Sequence, residues 1–303
     1  MRLFTRSVVA LASFCAVGVG AASWAQEPDF DQIEIETIPV TEDVYMLVGE
    51  GGNIGVSTGD DGVFLVDDQF APLTEKIQSA ISSISSEPIR FLVNTHWHFD
   101  HTGGNENFGE AGVVIVAHDE VYTRMSTDQF IEALQRDVPA SPPAALPVIT
   151  FSDEATFHLN GDTIEVTHID PAHTDGDSIV HFVESDVIHA GDVYFNGLYP
   201  FIDTSSGGSI TGMISAAEKV LSLAGETTQI IPGHGPLSNR EELEAYREML
   251  VTVRVRAESA IAKGLTLEQF IASKPTAEYD EQWGNGFLTP EQFLTIVYQD
   301  LAQ

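Results

Sequence analysis

Apolar and polar residues alternate over Ile33–Ile38 and Val44–Val48, the period of strands with one face buried. Gly51-Gly52-Asn53 interrupts that pattern and Ile54–Thr58 resumes it. Asp60-Asp61-Gly62 then supplies a tight turn into Val63–Val66, which predicts an antiparallel meander. Pro72–Ile84 has helical spacing, and Ile89–Asn94 and Val113–Ala117 read as buried strands, with a helix expected from there to about Arg136. The proline-rich run Ala140–Pro147 marks a surface connection. A second meander follows over Ala155–Leu159, Thr163–Ile169, Ser178–Val183 and Val187–His189, with Asn160-Gly161 as its first turn. Ser209–Ala224 is predicted helical and Gln229–Ile231 a short strand. Ser238–Lys263 is predicted as a long helix opened by a reciprocal cap between Ser238 and Glu241. Two short helices are expected in Leu265–Gln303, one opened by Thr289-Pro290.

Strands followed by helices, twice over, predict an α+β chain in which two sheets pack face to face with helices outside, an αββα four-layer sandwich. No internal repeat and no low-complexity tract divides it. A single domain over residues 26–303 is therefore expected, with 265–303 as a helical tail packed on it.

The first 25 residues follow a different logic. Arg2 and Arg6 precede an uncharged apolar run, Val8–Val19, and Ser23-Trp24-Ala25 places small residues at both positions a signal peptidase reads. This predicts a signal peptide cleaved after Ala25 and a periplasmic or secreted protein. The run is too short to span a bilayer, for which about 20 apolar residues are needed. The single cysteine, Cys15, lies inside it behind Phe14, a poor context for lipid attachment. The processed chain would have no thiol, so its stability must come from a core and not from disulfides.

Without Arg2 and Arg6, 11 basic residues face 46 acidic ones, a formal charge of −35. That field repels polyanions and argues against nucleic acid or an anionic membrane surface as a partner. Solubility in a salty medium explains the charge without reference to a substrate. Oligomeric state is not readable from the sequence.

The chemistry concentrates after Phe91-Leu92-Val93, in His96-Trp97-His98-Phe99-Asp100-His101. His96 and His98 leave the same face of an extended chain, so both rings can reach one ion at about 2.0–2.1 Å. Asp100 and His101 lie where the chain turns and can face the other side of a small cavity. Further candidates sit at later strand ends: His173 in a turn-rich segment, Asp192 in Ala190-Gly191-Asp192, and His234 in Pro232-Gly233-His234-Gly235. Their glycines allow close backbone approach. His118, at the end of its strand, and His158, His168, His181 and His189, within strands, read as ordinary structural histidines. Trp97 and Phe99 read as wall or packing residues.

The ordered set His96-x-His98-x-Asp100-His101, His173, Asp192, His234 resembles the metallo-β-lactamase superfamily, and divergent exported members in particular, over nearly the whole processed chain to His234. The resemblance implies the αββα fold and two divalent ions, zinc by preference, given histidine and carboxylate ligands. It implies one ion on His96, His98 and His173 and a second on Asp100, His101 and His234. Asp192 matches the bridging aspartate of the glyoxalase II-like branch. Asp67 corresponds to the family's first acidic motif and would orient a ligating ring. In such a centre the two ions share a water, lower its pKa toward neutrality and polarise a carbonyl oxygen, so that hydroxide attacks. Asp100 would be the catalytic side chain that orients it and helps move its proton.

The leading expectation is a β-lactamase-like opening of a cyclic amide, with possible relevance to antibiotic resistance; the substrate is a small molecule. The alternatives are a glyoxalase II-like thioester or lactone hydrolase and a non-catalytic periplasmic metal-binding protein. Two departures bear on the choice. Lactamases with a cysteine ligand carry that cysteine where Asp192 stands, a substrate-carboxylate lysine where this chain has Phe195, and arginine at the position of His101. A branch with histidine there has serine in place of Asp192. Tyr194, Phe195, Tyr199 and Phe201 could form an aromatic pocket wall or pack in the core, and Glu50–Gly55 could be a flap or a plain hairpin.

Overall fold

The computed structural model describes residues 28–302; the expected signal peptide and its cleavage point after Ala25 lie outside the described residues. The first sheet has seven strands, built from β1 (Glu36–Pro39), β2 (Val44–Val48), β3 (Ile54–Ser57), β4 (Val63–Val66), β5 (Ile89–Val93), β6 (Val114–His118) and β9 (Ile149–Phe151), in that spatial order. Its first four strands form the antiparallel meander, and β4, β5, β6 and β9 run parallel. A separate two-stranded hairpin joins β7 (Gln129–Ile131) to β8 (Arg136–Val138). The second sheet has the order β10 (Glu154–Leu159), β11 (Asp162–His168), β12 (Ser178–Phe182), β13 (Val187–Phe195), β14 (Gln229–His234) and β15 (Ser238–Asn239).

Strand periodicity explains the four layers. In β4, Phe64 and Val66 face the second sheet and cluster with Ile164, Val180, Phe182 and Ile231. The alternate residues Val63 and Leu65 face outward onto Ile77 and Ile81 of the helix Thr74–Ile84 and onto Phe108 of the helix Asn105–Glu110. A strand buried on both faces is apolar throughout, as this one is. Beyond the second sheet a third cluster joins it to the helices Ile210–Leu223, Arg240–Ala262 and Pro290–Leu301. The sandwich expected from the pattern is the observed fold.

Three local expectations need correction. The stretch expected to be helical to about Arg136 leaves the helix at Met125 and makes the β7–β8 hairpin, whose connection places Gln135 in the left-handed region at φ 50°. The cap of the long helix is Asn239 and not Ser238. The Asn239 side chain accepts from Glu242 N, while Ser238 pairs with Ile230 in β15 and bonds Tyr194. The tail holds a third short helix, Asp280–Trp283, besides Leu267–Ala272 and Pro290–Leu301, and the latter opens with a capping box on Thr289. Among the described residues no helix is long and apolar enough to cross a membrane.

Candidate metal centre

The seven candidate ligands meet beyond the ends of β4, β5 and β14 and against β13. Thr95 and His96 follow β5 in a bend, His98 caps the helical turn Phe99–Thr102, and that turn carries Asp100 and His101. His173 comes from the loop between β11 and β12. Asp192 lies within β13, where its parallel pairing with β14 slips on both sides of Gly191; such bulges re-aim a side chain. His234 ends β14. Glycine is required at two close approaches. A Cβ on Gly52 would overlap the His101 ring, and one on Gly233 would overlap the Asp192 carboxylate.

Three subsets each present ligand atoms within 4.8 Å of one another: His96, His98 and His173; His96, His101 and Asp192; and Asp100, His101 and His234. Nδ1 of His98 is 2.8 Å from Nε2 of His173, and Nε2 of His101 is 3.2 Å from Nε2 of His234. Asp192 stands between the two groups. Its Oδ2 lies 3.8 Å from His96 Nε2, 3.4 Å from His173 Nε2 and 3.5 Å from His234 Nε2, and its Oδ1 lies 3.1 Å from His101 Nε2. Asp100 Oδ2 is 3.3 Å from His234 Nε2 and 3.7 Å from His101 Nε2. Asp100 and His234 keep 21% and 23% of their side-chain surface exposed, while His96, His101 and His173 are sealed, so solvent reaches the centre from the Asp100–His234 side.

The outer ring nitrogens decide what the inner ones offer. His173 Nδ1 donates to Phe201 O at 2.7 Å and His98 Nε2 to Asp203 at 3.1 Å. His101 Nδ1 donates to Asp67 at 2.8 Å. The Thr95 hydroxyl donates to Asp67 and is left to accept from His96 Nδ1 at 3.1 Å. Each ring therefore turns a lone pair inward. Two lone pairs meeting at 2.8 Å repel unless a cation or proton lies between them, and the buried His96 Nε2 has no hydrogen-bond partner. The donor set fits divalent cations.

Charge divides the centre into halves. Burial holds the His96 ring well below the usual histidine range, with His101 adding to the effect, and burial lowers His173 to about 4. In the carboxylate-rich half burial works against charge, but Asp192 and Asp100 outweigh it. They hold His101 well above its ordinary value and His234 at about 9. Asp100 and Asp192 lie below the usual carboxylate range because these imidazoles offset their burial. Both inner-facing histidine pairs must be unprotonated to ligate, so metal binding in the second half displaces protons.

Several supporting residues carry no motif and escaped the sequence reading. Asp203 orients His98 and is itself fixed by the Ser205 and Ser206 backbone N–H groups at 3.1 and 3.2 Å. Asp177 gathers the N–H groups of His173 and Thr174, and burial pushes its carboxyl up to about 7. Asn53 donates to Pro232 O and Gly235 O, clamping the turn around His234. Asp67, which the family resemblance does name as a ring-orienting residue, is wholly buried at φ 63°, a conformation costly for a non-glycine residue and common at functional sites. Asp203, after the short apolar run Tyr199–Ile202, leaves a weak trace, an aspartate ahead of two serines that is a turn signal.

The remaining candidates divide cleanly. Phe195, Tyr199 and Phe201 line the cavity over the centre, whereas Tyr194 lies in the core, bonded to Ser238. Glu50 and Gly51 border the same cavity, and Gly52 N donates to Asp100 O. Phe99 is also a wall residue, and Trp97 is buried in the core. His118 caps the helix Asp119–Met125 and stacks on His168 at 3.7 Å, His189 holds Asn53 O, and His158 and His181 lie within β10 and β12, paired with Thr163 and Ile188.

A family model described as the metallo-beta-lactamase superfamily matches residues 47–234. The 2,4-dinitroanisole O-demethylase subunit alpha of Nocardioides sp. (strain JS1661) is 26% identical over 246 residues, 78% of this chain and 70% of that protein. The hydroxyacylglutathione hydrolase of Hyphomonas neptunium is 29% identical over 170 residues, 54% of this chain and 52% of that protein. A solved metallo-beta-lactamase from Pontibacter korlensis shares the fold with a TM-score of 0.59 at 19% identity, covering 72% of this chain and 99% of that one.

Proposed function

The chain belongs to the metallo-beta-lactamase superfamily, and from that premise we propose that it is a two-metal hydrolase of a carboxylic thioester, ester or lactone. The observation that carries this reading is Asp192, a carboxylate within 3.8 Å of four imidazoles drawn from both halves of the centre, where it can serve two cations at once. His96, His98 and His173 would hold one, and Asp100, His101 and His234 the other, with zinc the metal best suited to these donors. Bound there, two dications lower the pKa of water and polarise a carbonyl oxygen.

The chain's own groups supply the rest. Asp100, on the solvent-facing side, accepts a proton from the attacking water and can pass it to the departing oxygen or sulfur. Asp67, Asp203 and the Phe201 carbonyl keep the ligand rings in one tautomer. The reaction balances as hydrolysis: the water oxygen bonds the acyl carbon, the carbon–oxygen or carbon–sulfur bond breaks, and a water proton ends on the leaving group.

Opening of a β-lactam is the less favoured reading. Phe195 stands where lysine would meet the lactam carboxylate, and its ring stacks on His234 at 5.2 Å. The hydroxyacylglutathione hydrolase likeness also leans toward thioesters. The test is metal analysis of purified protein beside a panel of nitrocefin, a carbapenem, lactoylglutathione and acyl lactones. Chelator-sensitive turnover of thioester, ester or lactone is the expected result. Turnover confined to the lactams would reverse the preference, and two bound metals with no turnover of any kind would favour a non-catalytic metal-binding protein.

A further inference from the structure

A cavity of about 390 Å³ stands over the metal centre, with Asp100, Asp192 and His234 in its wall. Away from them the wall is hydrocarbon and aromatic, formed by Phe70, Ile131, Leu134, Phe195, Leu198 and Phe201. The Tyr199 hydroxyl, which could have offered a donor, is committed to Asp280 Oδ1 at 2.9 Å. Among the described residues no lysine or arginine lines the cavity, and Glu50, on the turn between β2 and β3, is the charged side chain outside the metal centre. Arg136 is exposed and rests over the ring of the wall residue Phe99 at 3.8 Å.

Resting on the hydrolase reading, we propose that the cavity takes an uncharged apolar acyl group, aromatic or of medium chain length, and that Glu50 turns away substrates whose acyl chain carries a carboxylate. An apolar group gains by leaving water for this wall. A carboxylate brought against the same apolar wall loses its hydration, finds no lysine or arginine to pair with and meets Glu50. The β7–β8 hairpin contributes Ile131 and Leu134, so a segment remote from the metal ligands sets this preference.

A matched pair of substrates tests it on the full protein loaded with zinc: p-nitrophenyl pentanoate and the mono-p-nitrophenyl ester of glutaric acid, equal in chain length and different in charge. The neutral ester is expected to show a kcat/KM at least about 10-fold higher. Glu50→Gln is expected to narrow that ratio about 2- to 5-fold, chiefly through KM of the charged ester, with the effect fading at high salt. Equal or faster turnover of the glutarate ester overturns the inference, and a preference for it that disappears in Arg136→Ala assigns selection to that guanidinium instead. A neutral preference untouched by Glu50→Gln overturns the role of Glu50. Turnover of neither ester, nor of any thioester or lactone, counts against the hydrolase reading itself and is thereby distinguished from a wrong substrate class.

Discussion

Asp203 Oδ2 lies 3.1 Å from Nε2 of His98, a contact between residues 105 positions apart. The carboxylate is almost fully buried, and both of its oxygens are engaged by Ser205 and Ser206 as well as by the ring. It therefore fixes which His98 nitrogen carries the proton and leaves Nδ1 free to face His173.

Asp203→Ala removes that constraint without touching a ligand. Metal affinity is expected to fall about 10- to 100-fold, the usual cost of losing such a partner, with the fold retained. Competition against a chromophoric chelator measures it, and unchanged affinity would show that His98 is oriented by something else.

Asn53→Ala strands the carbonyls of Pro232 and Gly235 in a largely buried turn. The expected loss is about 1–3 kcal/mol, read from denaturant midpoints. Because the same turn holds His234, activity should fall further than the unfolded fraction explains.

Stripping metal should destabilise the protein, since ions bind the assembled ligands and not the dispersed chain. With free metal at about 100 to 1,000 times its Kd, each site contributes about 2.7–4.1 kcal/mol. A chelator should lower the thermal midpoint of the parent strongly and that of His173→Ala less. An unchanged metal count in His173→Ala would remove that residue from the ligand set.

His118 should confer acid sensitivity away from the centre. Burial, and then the stacked His168 ring, lower its pKa below 6.5. The fold thus prefers the neutral ring, so the stabilisation is present above pH 6.5 and is lost as pH falls through the depressed folded value. His118→Asn retains a helix-capping acceptor and cannot titrate. Between pH 7 and pH 5 it should lose less stability in urea than the parent does, and equal losses would place the sensitivity elsewhere.

By itself the sequence determined the layer order and which residues form the candidate ligand cluster. Strand alternation depends on which face is buried, and Val63–Val66 writes both faces into four residues. Four metal-type side chains within His96–His101 are legible because the chemistry is local. Tertiary structure alone decided the rest. The hairpin after Met125 was hidden because its register depends on neighbours, and the exposed Phe130 gives it no inward pattern. The cap at Asn239 was hidden because Ser238 is drawn into a strand pair and a bond to Tyr194. Asp203, Asp177 and Asn53 act through single hydrogen bonds to groups that only folding brings near, and Glu50 and Phe195 become features of one cavity only when both sheets close over it. Periodicity records burial, while a long-range hydrogen bond or a cavity wall leaves no period in the chain.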